Sequence, residues 1–263
     1  MRPAVVSIFG GAVLERVSRL LRIPATGFAF ALLGLGGLCL AVTVFPAIRA
    51  TTRDQALRTR RTQATIALAF NLYLVILRLL GVMRLDVDGR DRLTRVYGTL
   101  IVANHPTLLD VVLLMALVPH AQCVVKHALW RNRFLGPVIR AAGYIRNDTE
   151  AADFIGHCRA ALAQGNNLII FPEGTRTVPG EPLRFQRGFA NVALHVNVDL
   201  LPVRIECNPI TLTKGLPWYQ VPPRRAAFRV SVGERIAVAP FMAHDSRAVG
   251  ARRLTSFLEN YFA

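Results

Sequence analysis

Acidic residues are scarce in this chain: 16 Asp and Glu face 32 Lys and Arg, giving a net charge of +16 at pH 7. Such a surface seeks an anionic counterpart, whether phospholipid headgroups, nucleic acid or an acidic protein, and charge alone does not choose among them. Cysteines are few as well. Cys39, Cys123, Cys158 and Cys207 form no C-x-x-C pair and sit in no histidine cluster, which speaks against a zinc site and a disulfide framework. They read as reduced, buried small hydrophobes. No internal repeat or low-complexity tract runs through the 263 residues. A further absence is structural: from Ile23 to Ile48 no charged side chain occurs. The run TGFAFALLGLGGLCLAVTVF within it reaches the ~20 apolar residues needed to cross hydrocarbon. Its length, its distance from the first residue and the lack of a small-residue cleavage site argue for a retained anchor over a removable signal peptide. With 52% hydrophobic residues and a mean hydropathy of +0.37, a purely soluble reading is strained.

What is present falls into two parts. Residues 1–84 read as membrane-anchoring helices. The apolar run is followed by a basic linker with Arg49, Arg53, Arg58, Arg60 and Arg61, and then by a second apolar segment, TIALAFNLYLVILRLL, ending near Leu80. Asn71 and Arg78 interrupt that segment, which suits either a weak span or a helix lying in the interface with Arg78 snorkelling. The linker arginines favour the cytoplasmic surface after the first span, whereas Arg16, Arg19 and Arg22 pull the other flank the same way. A shallow hairpin with both flanks at one leaflet satisfies both clusters.

Residues 85–263 read as one catalytic domain. RLDVDG, GTLIVAN, AQCVVK, NNLIIF, LLPVRIEC and AAFRVSV have strand length and β-branched content. LLDVVLLMALV, WRNRFLGPVIRAAG, EAADFIGHCRAALAQG, GFANVALHV and the terminal SRAVGARRLTSFLENYF read as helices, with Gly165 placed for a C-terminal cap. The alternation predicts an α/β fold: a mostly parallel sheet flanked by helices on both faces, preceded by the N-terminal membrane-associated helical segment.

Two loops that follow strands carry the chemistry. In ANHPTLLD, Pro106 keeps His105 out of the α region while itself fitting a first helical turn. On one helix, groups five residues apart would lie roughly 140° from each other. Outside it, the His105 ring can fold back onto Asp110. In LIIFPEGTRT, Gly174 permits close backbone approach, Thr175 and the backbone amides can donate to oxyanions, and Arg176 offers a planar fork for phosphate. Ligands of open α/β sheets gather beyond such strand ends. His120, His127, His157, His195 and His244 have no partner at useful spacing. The segment TKGLPWYQVPPRR, with Trp218 and Tyr219 among cations, suits a membrane interface or a plain packed loop.

Taken together, the loops resemble the glycerophospholipid acyltransferase family typified by 1-acylglycerol-3-phosphate acyltransferase. Asn104, His105 and Asp110 stand as its N-H-x-x-x-x-D motif, and Phe171 to Arg176 as its F-P-E-G-T-R motif. Arg187 and Gly188 look like its basic residue before a helix, Leu201 to Val203 resemble its last motif, and Lys126, Gly136 and Gly143 fall where it places a lysine and two glycines. The block GYIRND departs from the family by bringing Arg146 in early, in a shifted pocket position or a purely structural one.

The resemblance implies a membrane-bound O-acyltransferase with His105 and Asp110 as catalytic residues. It implies Asn104, Lys126, Arg146, Glu173, Gly174, Thr175, Arg176 and Arg187 as substrate-binding. The acceptor it implies is a lysophospholipid, foremost 1-acyl-sn-glycerol 3-phosphate giving phosphatidate, with acyl-CoA or acyl carrier protein as donor. No metal, no other cofactor and no nucleic acid are expected, and the enzyme is expected on the cytoplasmic membrane with its catalytic domain facing the cytoplasm. Other amphiphilic acceptors, such as a glycolipid, an aminolipid or a lipid-linked polyene, are the alternative. A non-catalytic basic module binding anionic lipid or nucleic acid leaves the two motifs unexplained.

Overall fold

A computed structural model describes residues 4–133, 135–243 and 246–263, with the backbone alone for residues 4–16. The chain opens with α1 (Ala4–Cys39), a π-helical turn (Leu40–Val44) and α2 (Phe45–Thr51) in unbroken succession. After three non-helical residues comes α3 (Gln55–Leu79), whose first turn is capped by Asp54 accepting from the Leu57 amide at 2.6 Å. Arg58, Arg60 and Arg61 are therefore helical, and the expected linker shrinks to Thr52–Asp54.

Then follow β1 (Met83–Asp88), α4 (Arg90–Thr94), β2 (Leu100–Ala103), α5 (Asp110–Leu117), β3 (Ala121–Val125), α6 (His127–Trp130), α7 (Gly136–Ala141) and β4 (Ile145–Arg146). The remainder comprises α8 (Ala151–Ala163), β5 (Asn167–Ile170), α9 (Gly188–Val196), β6 (Leu200–Asn208), β7 (Ala226–Val232), α10 (Ala239–Met242) and α11 (Arg247–Phe262). All six expected strands form. The helix expected over Trp130–Gly143 is instead two short ones, because Asn132 Oδ1 accepts from the Leu135 amide and Pro137 starts a new first turn. Phe134 and His244 lie outside the described residues.

The seven strands run in the order β1-β7-β6-β2-β5-β3-β4 and pair in parallel throughout, except for antiparallel β6 and β7. β2 and β5 are buried along their whole length, the mark of a sheet covered on both faces. Their side chains alternate between two cores. Ile101, Ala103 and Ile169 pack with α3 and α5, while Leu100, Val102, Leu168 and Ile170 pack with α8, α9 and α11.

The second apolar segment packs one face on the domain: Ile66, Tyr73, Leu74 and Leu77 are buried in the first core, and Asn71 donates to the Ala116 carbonyl of α5 at 2.7 Å. Its opposite face carries Leu68, Leu72, Val75 and Leu79 in an exposed stripe. Segments Val17–Thr51 and Gln55–Leu79 are each long and apolar enough to cross a membrane, and they point to membrane association.

The 209–225 connection between β6 and β7 meets α1. Trp218 packs tilted against Phe30, with ring centroids 5.9 Å apart, and sits so close to Gly27 that a Cβ there would come within 3.2 Å of its ring. Trp218 stays 44% exposed and Tyr219 59% exposed.

Gly165 closes α8 as expected, at φ +81 with its amide donating to Leu162. Gly165→Ala should destabilise the fold by at least about 1–2 kcal/mol, the penalty of placing an L-residue in the left-handed region, because its Cβ would also force the Tyr97 ring aside. Urea unfolding with an unchanged m-value would show this as a lowered midpoint.

Candidate active site

Strands β2 and β5 are neighbours, with Val102 opposite Ile170, so the loops that leave their C-terminal ends emerge side by side. Asp110 begins α5 with no solvent exposure. Its Oδ2 lies 2.8 Å from His105 Nδ1 and accepts from the Thr107 amide at 2.7 Å, while Oδ1 accepts from the Thr107 hydroxyl at 2.6 Å. His105 thus sits outside the helix, folded back onto it, as Pro106 demands. Phe171 from the second loop stacks on the imidazole, ring centroids 4.4 Å apart and planes 29° from parallel. With Nδ1 turned to Asp110, the ring keeps Nε2 as its available proton acceptor.

Glu173 joins the loops. Its Oε1 accepts from the His105 amide at 2.8 Å and from the Thr177 hydroxyl at 3.0 Å, and the Thr177 amide in turn donates to the His105 carbonyl at 2.7 Å. Burial pushes the Glu173 carboxyl above its ordinary value, against the pull of the Thr177 hydroxyl and the His105 amide. Burial likewise pushes Asp110 up, opposed by its bonds to His105 and Thr107.

A third segment ties both loops down. The Leu108 amide donates to Leu212, Arg176 Nη1 donates to the Leu212 and Thr213 carbonyls at 2.9 and 3.1 Å, and the Thr213 hydroxyl donates to Thr177.

His105 opens on a cavity of about 960 Å³ whose walls are mostly apolar, running between α1, α3, α5 and α7. Leu33 and Leu40 from the first helices, Phe70 and Tyr73 from α3, and Val112 and Ile139 from α5 and α7 line its length. Gly174, Thr175, Arg176 and the exposed Lys126 are among the polar and charged groups of its wall. Thr175 and Arg176 also border a recess of about 420 Å³ that Glu173, Glu181 and Arg184 share.

Other expected site residues fall elsewhere. Asn104 exchanges both its amide groups with the Ile205 backbone, at 2.9 and 2.7 Å, and latches β2 to β6. Arg187 is exposed on the rim, and its neighbour Gln186 lines the cavity instead. Arg146 lies outside the cavity, gripping Asp148 through Nε and Nη2 at 3.0 and 2.7 Å with its guanidinium over Trp130. Arg146 beside it holds the Asp148 carboxyl below the usual range.

His127 does have a partner, contrary to the sequence reading: its Nδ1 is 2.8 Å from Asp148, brought across by the pairing of β3 with β4. His195 Nδ1 also bonds, to the Asn191 carbonyl at 2.8 Å. Sequence reasoning missed Thr107, Gln186 and Arg184. Thr107 alone had a signal, a hydroxyl three residues before a helix-initial acid.

Residues 84–206 match the family model described as Acyltransferase. The matched stretch, less than half of the chain, includes both motif loops. It is 33% identical over 109 residues to a 1-acyl-sn-glycerol-3-phosphate acyltransferase of Cocos nucifera, covering 39% of this chain and 35% of that one. It is 34% identical over 124 residues to a protein of the same name from Helicobacter pylori, covering 45% and 52%. The chain therefore spans only a third to a half of the length of these relatives. The crystal structure of the 1-acyl-sn-glycerophosphate acyltransferase of Thermotoga maritima superposes with a TM-score of 0.66 over 94% of this chain and 97% of that one. At 17% identity this likeness bears on the fold.

Because the folded Asp110 carboxyl binds its proton more readily than the unfolded one, its contribution to stability is largest at low pH. That contribution falls as pH rises through the window between the two values. Relative to Asp110→Asn, the wild type should therefore gain stability as pH is lowered from neutral. Urea midpoints of the two proteins across pH measure this, and a pH-independent difference would contradict it.

Proposed function

We propose that this chain is a membrane-bound O-acyltransferase that esterifies the free hydroxyl of a lysophospholipid, foremost 1-acyl-sn-glycerol 3-phosphate. The observation that carries the reading is the meeting of the His105–Asp110 pair with an apolar cavity and an arginine-lined recess. That layout matches an acyl chain, a reacting hydroxyl and a phosphate in sequence.

An alcohol is a weak nucleophile near neutral pH, so its proton must leave as the new bond forms, an effect typically worth ~10²- to 10⁴-fold. His105 Nε2 takes that proton while the alcohol oxygen attacks the thioester carbonyl. Asp110 holds the tautomer and stabilises the imidazolium. Collapse of the tetrahedral species expels the thiolate, which recovers the proton from His105. The C–O bond has formed, the C–S bond has broken, and no acyl-enzyme intervenes.

Arg176 is the proposed phosphate ligand. Its Nη1 is anchored on two carbonyls, which fixes the guanidinium plane and leaves its other edge for a phosphate oxygen pair. Glu173 braces the two loops, and Lys126 in the cavity wall suits the anionic carrier of the donor, acyl-CoA or acyl carrier protein. The apolar faces of α1 and α3 support attachment to a membrane, and the basic flanks favour its anionic cytoplasmic surface. A glycolipid, aminolipid or other amphiphile is the competing acceptor.

Membranes bearing the protein, offered a panel of lyso-lipids and labelled acyl donors, should convert 1-acylglycerol 3-phosphate to phosphatidate. His105→Ala should keep less than about a tenth of that rate, and a higher residue rules out general-base catalysis by His105. Arg176→Ala should raise the KM for the lyso-lipid and leave the donor's unchanged. An enzyme with unaltered acceptor kinetics would move the acceptor away from phosphate-bearing lipids.

The cavity generates a separate expectation. Ala69 on α3 lines it, so Ala69→Phe fills space that a chain would occupy. Each methylene denied burial forfeits about 0.8 kcal/mol. Competition between short and long acyl donors should then swing toward the short ones, by roughly tenfold for two methylenes excluded.

A further inference from the structure

A second concentration of positive charge lies away from this site, where α1 passes the end of α3 and the loop entering β7. Arg22 is 4% exposed; its Nε donates to Ser18 and its Nη2 to Pro223, but Nη1 is buried and has no partner. Arg19 donates to the Val221 carbonyl at 2.9 Å. Arg225 donates from Nε to Met83 at 2.7 Å and from Nη2 to the carbonyl of Arg78 at 2.6 Å. Arg78 and Arg84 are exposed beside it. Among the described residues none of these five guanidiniums has a carboxylate partner, and the bonds of Arg19, Arg22 and Arg225 run to backbone carbonyls.

A buried guanidinium with an unmet donor is costly, and like charges in partial burial repel. Burial first, and then the charges of Arg84, Arg78 and Arg22, press the Arg225 pKa down. None of the five lines the catalytic cavity or the recess beside it.

We propose that this arginine cluster is a binding site for a phosphate oxyanion, separate from the candidate active site, and that it holds the anionic headgroup of a bilayer lipid against the α1–α3 junction. Guanidinium forks match phosphate oxygens in pairs. The exposed Arg19, Arg78 and Arg84 give the outer contacts, and Arg22 Nη1 supplies the inner donor as the side chains around it turn onto the anion. Leu20, Leu21 and Leu79, all more than 60% exposed, flank the cluster and offer acyl chains an apolar path that a soluble phosphate would not need. The bound anion neutralises the cluster and ties α1 to the catalytic domain.

The test uses the full chain in neutral detergent with Arg176→Ala, so that the candidate acceptor site does not respond. Thermal unfolding is followed against dihexanoyl phosphatidylglycerol, inorganic phosphate and, as a chain-matched control, dihexanoyl phosphatidylcholine. The expected result is a saturable rise in Tm with phosphatidylglycerol, whose midpoint weakens at least tenfold in Arg22→Gln/Arg225→Gln. Should that pair fail to fold, Arg78→Gln/Arg84→Gln, at two exposed positions, should still weaken it several-fold. Saturation by phosphatidylglycerol where inorganic phosphate has no effect makes lipid the source, whereas equal response to both makes it a general phosphate site and overturns the lipid assignment. A response that phosphatidylcholine reproduces, or whose midpoint is unchanged in Arg78→Gln/Arg84→Gln, belongs to the apolar cavity and overturns the site altogether, as does no response.

Discussion

The carboxylate of Asp110 is fully withdrawn from water, and the site is organised around keeping it satisfied. A buried carboxylate without donors would be untenable. Thr107 supplies two donors from the turn that Pro106 initiates, and His105 supplies the third. That demand fixes the imidazole, because the ring cannot turn away without leaving a lone pair unmet. Phe171 seals the arrangement from the neighbouring strand, so a few residues of local chain set the orientation of the reactive nitrogen.

The bond from the His105 amide to Glu173 extends this order from one loop to the next, and it exists because β2 and β5 are adjacent and in register. Neither loop would be shaped alone. Glu173 accepts from both loops through a single oxygen, so the F-P-E-G-T-R segment is folded around the histidine it serves. Arg176 then projects from a loop whose backbone is already committed.

How much of this could be read in the sequence follows the range of the interactions. The six strands and the His105–Asp110 geometry were legible, because apolar runs and a proline act over a few residues. Even the helix cap at Gly165 was. The short β4 was not, since two residues in GYIRND carry no periodic signal. Its pairing is what brings Asp148 to His127, a contact between residues 21 apart. Asn104 looked like a ligand because it abuts His105. Its role as a latch depends on β6, about a hundred residues away. The fate of α3 was equally hidden: a helix apolar on two faces reads as a span until the domain that buries one of them is known.

The connection between β6 and β7 has a consequence for how the protein opens. Its first half, at Leu212 and Thr213, holds both motif loops, and its second half, from Trp218 to Pro223, holds α1. Structures open locally in contiguous units, and the free energy of each opening is shared by everything it releases. Loop, catalytic motifs and α1 thus belong to one such unit. Anything that loosens the first helix also slackens the grip on the histidine loop, so amide exchange should rise and fall together in these two segments although they lie far apart in the chain.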